Sequence, residues 1–150
     1  MRLAAITLLL ASFALAACDD DEDFILPVIE GQTFTLRTAN GRSLPAVITD
    51  DDGRPRLRVE VLAGTLTLGR NGTFTDEIVF RERRGDAVVT RTRLCQGTFV
   101  SGGNTASFSE AATGGTCGET FNGVLRLETL TTTIQGIVLV WTPHLVDRRF

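Results

Sequence analysis

The sequence predicts an all-β domain, a small antiparallel up-and-down barrel of about eight to ten strands, with a β-sandwich as the alternative arrangement. Three observations lead there. From Gln32 onward, short runs rich in Thr, Val, Leu, Ile and Phe are separated about every ten residues by Gly, Asn or Asp, the pattern of consecutive hairpins. Apolar and polar residues alternate with period two inside those runs. No ten-residue stretch carries a convincing 3.6-residue apolar period, so no helix competes with the strands. Strands of this kind escape the exposed-edge problem by closing into a barrel or folding into a sandwich, and hairpins in simple succession favour the barrel.

Taken in order, the chain starts with Met1-Arg2, one positive charge, followed by an apolar or small run over residues 3–17 that only Thr7 and Ser12 interrupt. This predicts a removable signal peptide over residues 1–17. The run is shorter than the roughly 18 residues of a membrane-spanning helix and ends in small residues rather than a basic cluster. Leu15-Ala16-Ala17-Cys18 resembles the lipobox of bacterial lipoproteins. The resemblance implies a lipid on Cys18, anchorage to a membrane through that N-terminal lipid, and a place in the bacterial cell envelope, facing the periplasm or the surface. Asp19-Asp20-Asp21-Glu22-Asp23 follows directly, acids that repel one another and bury nothing. Residues 18–31 are therefore predicted to be an acidic flexible tether.

The β domain is predicted over residues 32–150. Asn40-Gly41 and Asn71-Gly72 each separate two strand-like runs, and a tight hairpin turn asks for positive φ at such central residues. Arg84-Gly85-Asp86 and Gly102-Gly103-Asn104 read as further turns, and Gly114-Gly115 as a loop. Leu57, Val59 and Val61 alternate with arginine and glutamate, and Leu66 and Leu68 with threonine; Ile78 and Phe80 share a face opposite Val79 and Arg81. Phe121 opens a strand in which Leu125 and Leu127 face away from Arg126 and Glu128. Residues 134–141 read as one last strand, apolar on both faces and therefore covered on each side.

Three cysteines are an odd number for an exported chain. With Cys18 lipidated, Cys95 and Cys117 remain as a pair, and in an oxidising compartment they close a loop of about 20 residues, worth roughly 3 kcal/mol of chain entropy. A metal site fits less well, because neither cysteine has a second one nearby and His144 is the sole histidine. After removal of residues 1–17, fourteen arginines face eighteen acids, a net charge of about −4 with no basic cluster. That balance argues against nucleic acid as a partner, since phosphate binding needs concentrated positive charge.

Residues 34–41 (FTLRTANG) with Leu44-Pro45, residues 64–68 (GTLTL) with Asn71-Gly72-Thr73-Phe74, and Gly97-Thr98-Phe99 resemble the lipocalin-like domains of bacterial lipoproteins. The resemblance runs from Gln32 to Phe150, including the Asp147-Arg148-Arg149-Phe150 close. It implies a small antiparallel barrel and, for most members, no established ligand. Trp141 stands near the end of the chain, whereas true lipocalins carry a Gly-x-Trp signature near the start.

Candidate chemistry is sparse. His144, between Pro143 and Leu145, has no Gly-x-Ser-x-Gly elbow to serve, and a lone histidine at a strand end is usually a surface residue. Asp50-Asp51-Asp52-Gly53 crowds carboxylates before a glycine, but in an EF-hand alignment Ile48 and Val59 fall in ligand slots, so an acidic turn is expected. Arg81, Arg83, Arg84, Arg91 and Arg93 fall on neighbouring strands, either as an anion-binding patch or, the expected reading, paired across strands with Glu77, Glu82 and Asp86. Phe74, Phe80, Phe99, Phe108, Phe121 and Trp141 are expected to fill the barrel rather than line a cavity. No Gly-rich phosphate loop opens a helix. The expected function is a membrane-anchored, non-catalytic envelope protein that uses its barrel for interaction or structure and needs no cofactor. The alternative is a lipocalin-like carrier or sensor of a small apolar ligand.

Overall fold

The computed structural model describes residues 29–53, 55–112 and 117–144. The predicted signal peptide, Cys18, the acid run, the Gly114-Gly115 loop and residues 147–150 lie outside the described residues. Ten strands follow one another: β1 (Thr33–Ala39), β2 (Arg42–Ser43), β3 (Ala46–Asp51), β4 (Leu57–Leu68), β5 (Thr73–Arg84), β6 (Ala87–Gly102), β7 (Thr105–Glu110), β8 (Thr120–Arg126), β9 (Thr129–Ile134) and β10 (Ile137–Pro143). Consecutive strands from β4 to β10 pair antiparallel, β10 pairs with β1, and β1 returns to β4, so these eight strands close an up-and-down barrel. The barrel reading therefore holds and the sandwich does not. No helix is present among the described residues.

Closure is partial along the β1–β4 seam. Thr33, Phe34 and Thr35 pair with Thr67, Leu66 and Thr65, after which β1 turns to β2 while β4 runs on beside β3. Leu44 and Pro45, joined by a cis peptide, separate β2 from β3. The long strands β4, β5 and β6 extend past their last barrel neighbours. With β3 they make a four-stranded ribbon at one end, tipped by the Arg84-Gly85-Asp86 turn.

The wall follows the strand period. Phe34, Leu66, Leu68, Phe74, Ile78, Phe99, Phe108, Phe121, Leu130, Leu139 and Trp141 point inward and are buried. Phe108 stacks on Phe121 at 4.8 Å and on Phe99 at 5.8 Å, and meets the edge of Phe74 at 5.2 Å. The Trp141 indole N–H donates to Thr132 Oγ1 at 2.9 Å, so the largest core side chain is also satisfied. Gly97 is required by this packing: a Cβ there would run into the Ser109 carbonyl and the Phe74 ring, so glycine lets β7 approach β6. The aromatic set fills the barrel as expected, with Phe80 half-buried at its rim.

Four details depart from the sequence reading. Residues 134–141 are not one strand, because Gln135 and Gly136 adopt positive φ (51° and 76°) and turn the chain between β9 and β10. The outer face of β10 is correspondingly uncovered at Val138, which is exposed. Leu127 does not share the inward face of Leu125; it sits at φ 53° in the β8–β9 turn and is 78% exposed. Finally, the packed domain includes Ile29, which is buried, and Gly31, whose N–H donates to the Leu68 carbonyl. An apolar side chain that seals a barrel end gains more from burial than from water, so the last residues assigned to the tether join the fold.

Candidate functional site

Asp76 on β5, Arg93 on β6 and Glu110 at the end of β7 share the inward phase of their strands, and all three are charged. Asp76 lies between Phe74 and Ile78, Arg93 two residues before Cys95, and Glu110 two residues after Phe108. Arg93 Nη1 donates to Asp76 Oδ2 at 2.5 Å and Nη2 to Glu110 Oε1. Glu110 Oε2 accepts the backbone N–H groups of Gly118 (3.0 Å) and Glu119 (3.2 Å). The side chains of Asp76 and Glu110 are essentially inaccessible, at 1% and 0%, and that of Arg93 nearly so, at 9%.

The Cys95–Cys117 disulfide closes beside this cluster and spans 22 residues. Disulfide, ion pairs and backbone hydrogen bonds all fasten the segment after β7 onto β6, where β7 has diverged from it. Cys95, Cys117 and Glu110 bring potential ligand atoms within 4.8 Å of one another. In this arrangement both sulfurs are spent in the disulfide and both Glu110 oxygens accept hydrogen bonds, so the group acts as a clamp. The disulfide prediction follows: a thiol count on the denatured, unreduced chain should find Cys95 and Cys117 blocked. Replacing both by alanine should cost roughly 3 kcal/mol in urea unfolding. Two reactive thiols from this pair would contradict the assignment.

Burial pushes the Asp76 carboxyl up to about 6; Arg93 opposes that rise, and the neighbouring Glu110 charge adds to it. Its Oδ1 is buried without a hydrogen-bond partner. A carboxylate in that position is held by one guanidinium against a desolvation cost, so it is poised to take up a proton in mild acid. On the ribbon, Glu60 lies between Arg58 (2.8 Å) and Arg81 (2.5 Å), and the Arg81 hydrogen bond keeps its carboxyl below the usual range.

The arginine group predicted on β5 and β6 thus divides. Arg81 pairs with Glu60, Arg84 and Arg91 lie 3.7 Å from Glu82, and Arg93 turns inward. Cross-strand pairing was the expected outcome; Glu60, Asp76 and Glu110 are partners that the sequence reading missed. The available signal was the phase: a charge that alternates with Phe74 and Ile78 points into the core. Asp50 and Asp52 pair with Arg56, and Asp51 accepts the Gly53 N–H, so the acidic stretch ends β3 at Asp51 and only Asp52 and Gly53 enter the expected turn to β4. His144 is exposed after β10, its backbone N–H donating to the Thr33 carbonyl.

An apolar cavity of about 20 Å³ lies between Arg93 and Val61, Ile78, Phe80, Ile134 and Leu139. It has room for about one water molecule. A wider depression of about 290 Å³ is open to solvent between Asn40, Arg42, Val47 and Asp50. Two of its polar groups are engaged: Asn40 Oδ1 accepts the Val138 N–H, and Asp50 holds Arg56. Compared with family models, curated proteins and solved structures, the chain finds no match in any of the three.

Proposed function

We propose that this chain is a membrane-anchored, non-catalytic lipoprotein of the bacterial envelope whose lipocalin-like barrel serves as a rigid interaction or structural module. The observation that carries the reading is the filled interior. Three stacked phenylalanines, a fourth set edge-on to them, and Trp141 occupy the space in which a carrier would hold its ligand, and the cavity found beside them among the described residues is about 20 Å³. Ligand sites for small molecules run to hundreds of Å³. The buried ion cluster supports the same reading, because every carboxylate oxygen in it except Asp76 Oδ1 is engaged with Arg93 or with the backbone.

Placement of the ends is consistent with a displayed module. The N-terminal segment joins the fold beside Leu68, at one end of β4, while the ribbon tip at Arg84 lies ten residues further along β5 than Phe74, the partner of Leu68. At about 3.3 Å per residue the tip stands roughly 33 Å from the tethered end. Native mass spectrometry of the chain purified from its own host in mild detergent tests the filled interior: an apo mass is expected. A reproducible apolar small molecule bound with unit stoichiometry would replace this reading by the carrier. For the anchor, Cys18→Ser should move the protein from the detergent phase to the aqueous phase, and retention in the membrane fraction would refute the lipid attachment.

A further inference from the structure

The ribbon has two edges, and they are treated differently. On β3 the pairing with β4 is broken by a bulge between Val47 and Thr49, and exposed Asp50, Asp51 and Asp52 line its end. Bulges and charges of this kind keep an edge strand from templating another strand. The opposite edge is the first half of β6. Its pairing with β5 runs without a register shift from Arg84↔Ala87 to Thr73↔Thr98, and β7 joins only at Gly97. Among the described residues no strand pairs with the outer side of β6 over residues 87–93. That stretch reads Ala-Val-Val-Thr-Arg-Thr-Arg, with no proline or glycine, and Val88 and Val89 are 50% and 46% exposed.

The phase of the backbone is known. The Gln96 carbonyl accepts the Ala111 N–H on the β7 side, and the Phe99 N–H donates to Gly72 on the β5 side. Counting back by two from Gln96, Val88, Thr90 and Thr92 direct their N–H and C=O groups outward, away from β5.

We propose that this edge pairs with the same edge of a second copy, antiparallel, about a two-fold axis at Thr90. The inference deepens the reading of the barrel as an interaction module and rests on it. In this register Val88 faces Thr92 of the second copy, Thr90 faces its own equivalent, and about six outward backbone groups on each copy pair. The opposite face sets Val89 against Arg91 of the second copy, in one row with Glu82, the β5 partner of Val89. Charge selects this register among its neighbours. Moving the axis to Thr92 would oppose Arg91 to Arg93, and moving it to Val88 would run the pairing into the turn at Gly85 and Asp86. An isologous contact of this kind closes on itself. Antiparallel strands also carry the two barrels to opposite ends of the shared sheet, roughly 45 Å apart between the Gly97 positions, so they do not collide.

Disulfide cross-linking of the full chain in its host membrane tests the register. Thr90→Cys lies on the axis and should convert most of the chain to a species of twice the mass on oxidation. Val100→Cys is an exposed position of the same phase where β7 covers the edge, and it should not. The unmutated chain measures any background from Cys18. Thr90→Pro removes an outward donor without touching the β5 ladder; it should give a monomer by light scattering with an unchanged far-ultraviolet spectrum. Cross-linking at Thr90 no greater than at Val100 would overturn the proposal, as would a monomeric unmutated chain. Capture of a different envelope protein by Thr90→Cys would also overturn it, while leaving the interaction reading in place.

Discussion

Arg93→Met is expected to cost about 3–5 kcal/mol of stability, because it leaves Asp76 and Glu110 as two buried carboxylates without their shared cation. The methionine fills much of the same volume, so the loss comes from electrostatics rather than from a cavity. Urea unfolding with the disulfide intact would measure it as a drop in midpoint. The deficit should shrink toward pH 4, where the stranded carboxyls neutralise themselves by taking protons. Asp76→Asn separates the parts. In the unmutated protein the Asp76 carboxyl sits at about 6 against an ordinary 3.8, so the folded state binds this proton more tightly than the unfolded chain does. Its contribution is therefore full below about pH 4 and is lost as the pH rises through about 6. Asp76→Asn should flatten the fall in stability across that window. A deficit for Arg93→Met below about 1 kcal/mol at pH 7 would show that the ion cluster does not hold this end of the barrel together.

Phe108→Ala should destabilise by a comparable amount, about 3–5 kcal/mol, for a different reason. Phe108 is fully buried and touches Phe74, Phe99 and Phe121, so its ring is the common partner of the aromatic cluster. Truncation removes the transfer free energy of the ring and leaves a hole that β7 and β8 cannot close, since their backbones are fixed by ladders on both sides. Val100→Ala, on the neighbouring strand but 75% exposed, should stay within about 0.5 kcal/mol. A loss near that of Val100→Ala would mean that the interior is loose enough to accept a guest, and would reopen the carrier reading. The two substitutions are expected to act independently, one at the clamp after β7 and the other within the packed interior.

The strands of this protein were legible in its sequence where a local rule applies. Asn40-Gly41 turns the chain with both residues at positive φ and Asn71-Gly72 with Gly72 alone there, and period two in residues such as Leu66 and Leu68 marks the inward face. The Cys95–Cys117 pair followed from counting thiols, and a filled core from the aromatic content. Turns without Gly-rich signatures were not legible. At Leu127 and Gln135 a residue with a Cβ is forced to positive φ, a conformation that local preference disfavours and that pairing on either side imposes.

By itself, then, the sequence determined an antiparallel β domain, its principal hairpins and its disulfide, since each depends on neighbours in the chain or on a count. Tertiary structure decided the rest. The bulge between Val61 and Ala63 shifts β4 by one residue, so that Leu57, Val59 and Val61 share the inner face with Gly64, Leu66 and Leu68; the alternation seen in the sequence changes phase there. Only the registers of β5 on β6 and of β6 on β7 bring Asp76, Arg93 and Glu110 together, and only the early departure of β7 leaves one edge of β6 uncovered among the described residues. These outcomes depend on which strands lie side by side and for how long, a property of the closed sheet that no local pattern of residues encodes.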